Sequence, residues 1–193
     1  MHKLIPTFLF SSSLAIVLTT GTTQAANESK HTATSPDGKT AVTFNTTKEG
    51  TPIYSVSHKG KPLLLDSRLG LKLKGGSSLE KGFTIAKSSK RSHDSTWRPL
   101  TGERSVVRDH YNELTIALNQ NNNPRLQITF RAYNEGVAFC YTFPKNAGTF
   151  TITRELSQFK FADDHFCWDT KDPQAVYRRV PISKAGGNIE RPL

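Results

Sequence analysis

Apolar side chains recur at every second position over most of this chain, and that regularity decides its fold class. Val42 and Phe44 alternate with Thr43 and Asn45, and Tyr54, Val56 and His58 alternate with serines. Leu69, Leu71 and Leu73 alternate with Gly70, Lys72 and Lys74, and Leu114, Ile116 and Leu118 form another face. Leu126, Ile128 and Phe130 follow, then Val137, Phe139, Tyr141 and Phe143. Phe150 with Ile152, and Phe159 with Phe161, complete the series. Successive side chains of a strand point to opposite faces, so a period of two with one apolar face marks half-buried strands. Turn chemistry separates them: Lys59-Gly60-Lys61, the run Asn119 to Pro124, and Asn134-Glu135-Gly136. Short strands joined this way predict an all-β domain, an antiparallel β-sandwich. The hairpins from Leu114 to Phe143 are its best-defined part.

Two regions lack the alternation. Lys87, Lys90 and Arg91 sit in a Ser-rich stretch that reads as a loop. From Trp168 onward Pro173, Pro181, Pro192 and Gly186-Gly187 interrupt the pattern, so the chain is expected to leave the sandwich there without a terminal element. No internal repeat and no linker divides the remainder.

The first residues belong to a different class. Lys3 precedes a mostly apolar stretch, Leu4 to Leu18, broken by Pro6 and Ser11 to Ser13 and followed by Thr23-Gln24-Ala25. A membrane-spanning helix needs about 20 apolar residues. This segment therefore reads as a signal peptide over 1–25, cleaved after Ala25 to leave a mature domain over 26–193. The expectation is export to a bacterial periplasm or the medium. No cysteine lies in the leader, so a lipid anchor there is excluded and no membrane anchor is expected. Export permits a disulfide between Cys140 and Cys167; two buried thiols are the alternative. Two cysteines without His-rich spacing do not build a structural zinc site.

The chain carries 26 basic and 16 acidic residues, a formal charge of +10 that falls to +9 when Lys3 is lost. Scattered cations and the absence of a recognition motif exclude a nucleic-acid function. Chemistry-bearing residues are equally dispersed. His58, His93, His110 and His165 fall on four predicted elements, with no HxH or HExxH spacing. Asp163 and Asp164 are adjacent, so a strand would point them apart and a turn would use them as caps. A glycosidic pair must instead converge across a substrate at about 5–10 Å. Trp97 and Trp168 are the available sugar-stacking platforms, with core or domain-interface packing as their ordinary use. No serine elbow and no phosphate-cradling glycine loop occurs.

Three stretches in order resemble a known family: TWRPLTGERSVVRDHYNELTIAL (Thr96 to Leu118), LQITFRAYNEGVAFCYTFP (Leu126 to Pro144) and ITRELSQFKFADDHFCW (Ile152 to Trp168). SPDGKTAVTF near the mature start fits the same pattern. Together they resemble the N-terminal domain of glycoside hydrolase family 97, exported bacterial enzymes acting on α-glucosides and α-galactosides. The resemblance implies a galactose mutarotase-like β-sandwich ahead of a (β/α)-barrel that carries the catalytic carboxylates. It also implies that the chain ends about where that barrel begins. NIERPL, Asn188 to Leu193, resembles the stretch from which the family draws one calcium-ligand glutamate, and Glu190 matches it. Calcium takes 6–8 oxygen ligands, so Glu190 would be one donor among carboxylates supplied by the barrel.

The expected function is thus a carbohydrate-binding or accessory β-sandwich of an exported α-glycosidase, inactive alone and with no catalytic residue of its own. Its partners would be α-linked glucosides or galactosides and the family barrel. The rival is a free-standing carbohydrate-binding module using Trp97 or Trp168. An aldose mutarotase would need an acid and a base converging on the anomeric centre, and the sequence offers no His/Glu constellation for that.

Overall fold

The structure, a computed structural model, describes residues 31–75, 78–172 and 174–186. The leader over 1–25 and Glu190 both lie outside the described residues. Thirteen strands are found among them: β1 (Thr32–Thr34), β2 (Thr40–Thr46), β3 (Pro52–His58), β4 (Lys61–Arg68), β5 (Leu71–Leu73), β6 (Ser78–Leu79), β7 (Phe83–Trp97), β8 (Val107–Gln120), β9 (Asn123–Ala132), β10 (Val137–Thr142), β11 (Ile152–Glu155), β12 (Phe166–Asp169) and β13 (Arg178–Pro181). A single 3-10 turn, Ile182–Lys184, follows β13. All the strand pairings are antiparallel, as the alternation required.

Two four-stranded sheets form the body, one in the order β1-β2-β3-β4 and the other β10-β9-β8-β7. Val42, Phe44, Tyr54 and Val56 from the first share one buried cluster with Leu114, Ile116, Leu118, Ile128 and Phe130 from the second. Phe130 meets both Phe44 and Tyr54 with ring centroids 5.9 Å apart, so the sheets interlock through aromatic rings in tilted contact. Each of these side chains is a residue whose parity the sequence assigned to the inner face. A three-stranded sheet, β11-β5-β6, extends the core with Leu71, Leu73 and Leu79.

Turn chemistry fixes the registers. Lys59 and Gly60 take positive φ (49° and 75°) between β3 and β4, and Asn121 and Asn122 do so (51° and 60°) between β8 and β9. These are two-residue hairpin turns whose backbone needs the left-handed region, which Gly and Asn tolerate best. The second is shorter than the stretch Asn119 to Pro124, since β8 runs through Gln120 and β9 begins at Asn123. Gly50 joins the two sheets: Phe83 N–H donates to its carbonyl at 3.0 Å, and a Cβ there would lie 2.5 Å from Phe83 N.

Two expectations are corrected. The Ser-rich stretch of Lys87, Lys90 and Arg91 is not a loop but the middle of β7, paired with β8 from Phe83↔Gln120 to Trp97↔Val107. It carries no apolar alternation because β7 is an edge strand that is wet on both faces here, with only Ser88 and His93 half-buried beyond Ile85. The chain also does not trail off after Trp168. β12 and β13 pair as a ribbon from Phe166↔Pro181 to Asp169↔Arg178, and proline is accommodated at the end of an edge strand.

Candidate functional site

The distal half of the β7–β8 hairpin extends beyond the second sheet, because β9 covers β8 only from Asn112 to Gln120. This arm concentrates polar chemistry. Arg108 donates from Nε and Nη2 to the two oxygens of Asp94 at 2.8 and 2.6 Å, holding that carboxyl below its usual range. His93 Nε2 lies 2.8 Å from Ser95 Oγ and 3.5 Å from Asp109 Oδ2. The trio has the composition of a nucleophile relay but not its geometry. A relay uses the two imidazole nitrogens in opposite directions, whereas one nitrogen here faces both partners.

At the arm's base, Glu113 is 5% exposed on the outer face and is gripped from two sides. Arg91 donates from Nε and Nη2, and Arg131 donates from Nε at 2.9 Å. Arg131 also lies over the Tyr111 ring at 4.3 Å. The Arg91 guanidinium, then that of Arg131, lowers the Glu113 pKa against the opposing effect of burial. With its oxygens committed to two guanidiniums, Glu113 is poorly suited to act as an acid or base and serves to bind three strands.

Asp163 and Asp164 do not converge on anything that could be cleaved. Asp163 lies in a bend, and of the two only Asp164 is seen capping backbone. Asp164 accepts from the Ser183 backbone N–H at 2.8 Å and hydroxyl at 2.7 Å, and these bonds lower its pKa, the hydroxyl contributing most. Cys140 and Cys167 are free thiols, the first exposed and the second half-buried. Neither the disulfide nor the pair of buried thiols is therefore found. Among the described residues no group of three or more His, Cys, Asp or Glu side chains could hold a metal ion. Nor does any helix there have the length and apolarity to cross a membrane.

The feature that sequence reasoning missed is an apolar face at the sandwich edge. The segment from Leu156 to Ala162 returns along β4: Leu65 N–H donates to Lys160 O at 2.8 Å and Ala162 N–H to Leu63 O at 3.0 Å. Buried Ser67 accepts the Lys160 N–H at 2.9 Å, and Tyr54 donates its hydroxyl to Gln158 O at 2.8 Å. Between this segment, β4 and the β9–β10 turn lies a groove of about 460 Å³, walled by Leu63, Val137, Phe159 and Phe161, with His58 and His165 at its margin. Phe159 approaches Phe139 at 6.3 Å, so the wall continues the aromatic core outward.

Beyond His165 the chain continues into the ribbon. Ile182 N–H donates to His165 O at 2.8 Å, and Asp164 caps Ser183. Phe166 and Trp168 then stand 55% and 68% exposed on β12, and Tyr177 stands 57% exposed before β13. Arg179 lies over the Phe166 ring at 3.8 Å. Arg178 anchors the ribbon on buried Asp169, donating to Oδ2 at 3.3 Å while lying 3.2 Å from Oδ1. Both tryptophans are exposed, so neither packs in the core: Trp168 is on the ribbon and Trp97 on the arm.

Comparison with known proteins gives this architecture its place. The family described as "Glycosyl-hydrolase 97 N-terminal" matches residues 33–193. A retaining alpha-galactosidase of Bacteroides thetaiotaomicron is 29% identical over 153 residues, covering 78% of this chain and 22% of that protein. A probable retaining alpha-galactosidase of Streptomyces bingchenggensis is 22% identical over 92% of this chain and 28% of its own. Among solved structures, a glycoside hydrolase family 97 enzyme (E480Q) in complex with panose, from Pseudoalteromonas sp. strain K8, superposes with a TM-score of 0.72. It shares 30% identity and covers 80% of this chain and 25% of that one. A beta-arabinopyranosidase superposes equally well, with a TM-score of 0.72 at 25% identity, over 84% of this chain and 29% of its own. The chain thus spans less than a third of the length of the relatives it matches, and it belongs to the N-terminal domain family of glycoside hydrolase family 97.

Proposed function

We propose that this chain is the accessory β-sandwich of an exported family 97 glycosidase and supports a catalytic barrel supplied by a longer polypeptide. One observation carries the reading: a family match over residues 33–193 in which the chain accounts for only 22–29% of its relatives. The polar clusters agree with it. Glu113, Asp94 and Asp164 are each tied up by structural partners. The substrate class follows from the relatives, α-linked galactosides or glucosides, which a barrel would cleave while the sandwich holds its edge. Glu190 is the residue proposed to reach that barrel as one calcium ligand. The described residues build no calcium site themselves, so the other oxygen donors would be the barrel's.

The test is hydrolysis of aryl α-galactosides and α-glucosides by this chain alone and by the same chain joined to a family barrel. Turnover is expected only from the joined form. Turnover by the isolated sequence, abolished at Asp163 or Asp164, would overturn the assignment. Export is tested by the mature terminus, expected at Ala26 in protein recovered from the periplasm or medium.

The exposed rings of Trp97 and Trp168 favour a second reading, a carbohydrate-binding module that works without a barrel. Saturable quenching of tryptophan fluorescence by maltooligosaccharides, lost in one Trp→Ala variant, would establish it.

A further inference from the structure

We infer that the outer face of the β7–β8 arm is a carbohydrate-binding subsite for an α-linked gluco- or galacto-oligosaccharide, with Trp97 as its floor and Ser95, Asp109 and His93 as its polar edge. The inference rests on the carbohydrate chemistry of the second reading above and assigns it to Trp97 rather than Trp168. Strand register assembles the site. From Lys87↔Ala117 to Trp97↔Val107 the pairing of β7 with β8 runs without a bulge. His93, Ser95 and Trp97 therefore share one face with Asp109 and Tyr111, which stand opposite Ser95 and His93. The same face carries Glu113 at the base of the arm. The Trp97 ring is exposed, and so is Ser95 beside it. Two residues along a strand span about 7 Å. A hexose seated on the indole thus brings its rim hydroxyls to Ser95 and Asp109.

The polar edge is held in place from below. Tyr111 is buried, packs against the His93 ring at 5.0 Å and the Tyr133 ring at 5.2 Å, and lies under the Arg131 guanidinium. Tyr133 donates its hydroxyl to Asp109 Oδ1 at 3.1 Å. Asp109 Oδ2 and Ser95 Oγ flank His93 Nε2 at 3.5 and 2.8 Å. A carboxylate oxygen accepts more than one donor, and a hydroxyl both donates and accepts, so the half-buried Asp109 and the exposed Ser95 keep capacity for sugar hydroxyls. Sugar recognition uses such a set: an aromatic plane for the C–H face of the ring, and fixed donors and acceptors along its rim. A trio unsuited to proton relay thereby has a use that needs no relay. Trp168 lacks this edge. It stands opposite Arg179, whose guanidinium is stacked on the neighbouring Phe166 ring. Leu100 and Val106 are also exposed near the arm's tip, which raises a lipid surface as the other partner. Insertion would carry Asp109 and the Asp94–Arg108 pair out of water at a high cost, whereas a bound sugar leaves them solvated.

Trp168→Phe leaves Trp97 as the sole tryptophan of the chain, and Trp97→Phe leaves Trp168. Titrating the Trp168→Phe protein with maltotriose, an α-glucoside, and raffinose, an α-galactoside, should change Trp97 fluorescence saturably with at least one of them. The dissociation constant should be on the order of 1 mM, as suits a shallow, solvent-exposed site. In that background Asp109→Asn and Ser95→Ala should each weaken binding about fivefold, the loss of one hydrogen bond. Asp94→Asn, on the opposite face of the arm, should leave the affinity unchanged, and far-ultraviolet circular dichroism should match across all the variants. Saturation seen only in the Trp97→Phe protein would move sugar binding to the ribbon, overturning the arm site and leaving the second reading standing. No saturable response from either single-tryptophan protein would remove both, with the accessory role still judged by hydrolysis. Equal weakening by Asp94→Asn and Asp109→Asn would overturn the assignment of the polar edge. A blue shift of Trp97 emission on phosphatidylglycerol vesicles, with no response to either sugar, would make the partner a lipid surface and overturn the inference.

Discussion

Tyr54, in the middle of the first sheet, donates its hydroxyl to the carbonyl of Gln158, a residue 104 positions later. That bond runs from the sandwich core to the segment that forms the wall of the apolar groove. Burial pushes the Tyr54 phenol up to about 12. A raised folded value means the neutral form is preferred on folding. Stability from this group is complete below the unfolded tyrosine value near 10 and is lost as pH rises through the folded one. Absorbance at 295 nm should show a tyrosine titrating well after the exposed ones, and that late step should vanish in Tyr54→Phe. The variant should also lose about 1 kcal/mol in urea unfolding, the net worth of one hydrogen bond.

Ser67 makes the neighbouring link. Its hydroxyl donates to Leu65 O at 2.8 Å and accepts the Lys160 N–H at 2.9 Å, with the side chain fully buried. Ser67→Ala strands that N–H and should cost about 1–3 kcal/mol. Hydrogen exchange locates the effect: protection should fall at Lys160 and its neighbours while the β8–β9 amides keep theirs. A uniform loss across both sheets would show that the segment is not an independent layer.

The core was legible in the sequence because inner-face parity survives wherever a strand has one dry and one wet side. Val42, Phe44, Leu114, Ile116, Ile128 and Phe130 were all assigned to that face, and all are buried. Parity fails where both faces are wet, which is why β7, with Lys87, Lys90 and Arg91, reads as a loop. It fails again on the ribbon, where Phe166 and Trp168 are apolar but exposed. The apolar groove was invisible for a related reason. A pattern records which residues are apolar, not which lack a cover, and the pairing of Phe161 with Leu64 across 97 positions has no local signature. The dispersal of the histidines was legible, but the approach of His93 to Asp109 came from strand register. The proposal for Glu190 rests on family resemblance alone, and the residue lies outside the described ones.

Glu113 predicts the acid side of the stability curve. Arg91 and Arg131 hold its carboxyl below the ordinary glutamate range. A depressed folded value contributes stability that is complete above the unfolded value near 4.3 and is lost as pH falls through the folded one. Chemical denaturation between pH 6 and 3 should show stability decreasing towards acid, and Glu113→Gln should flatten part of that slope. At neutral pH the substitution should cost about 1–3 kcal/mol, as expected for charge-assisted hydrogen bonds with partly exposed arginines.

Gly50 tests the joint between the sheets. Its φ of +72° and the 2.5 Å approach of a would-be Cβ to Phe83 N leave no room for a side chain. Gly50→Ala must strain the turn or push β7 away, at a cost of about 2–4 kcal/mol. Gly38, also at positive φ but with nothing within 4 Å, is the control. Gly38→Ala should cost no more than about 1–2 kcal/mol, from backbone conformation alone. Equal losses at the two sites would mean that conformation, not the close approach, explains Gly50.

Glu190 carries the prediction that reaches furthest towards catalysis. In a chain joined to a family barrel, Glu190→Gln keeps the size of the side chain and removes the charge that a hard divalent cation prefers. Calcium affinity should fall in calorimetric titration, and hydrolysis should fall with it at limiting calcium. The melting temperature measured without calcium should stay within a degree or two, as expected of an isosteric exchange at a residue whose proposed role is to bind metal. In the isolated chain the same substitution should alter neither quantity, since the described residues build no metal site for Glu190 to complete. Unaltered calcium affinity in the joined Glu190→Gln protein would remove this residue from the site.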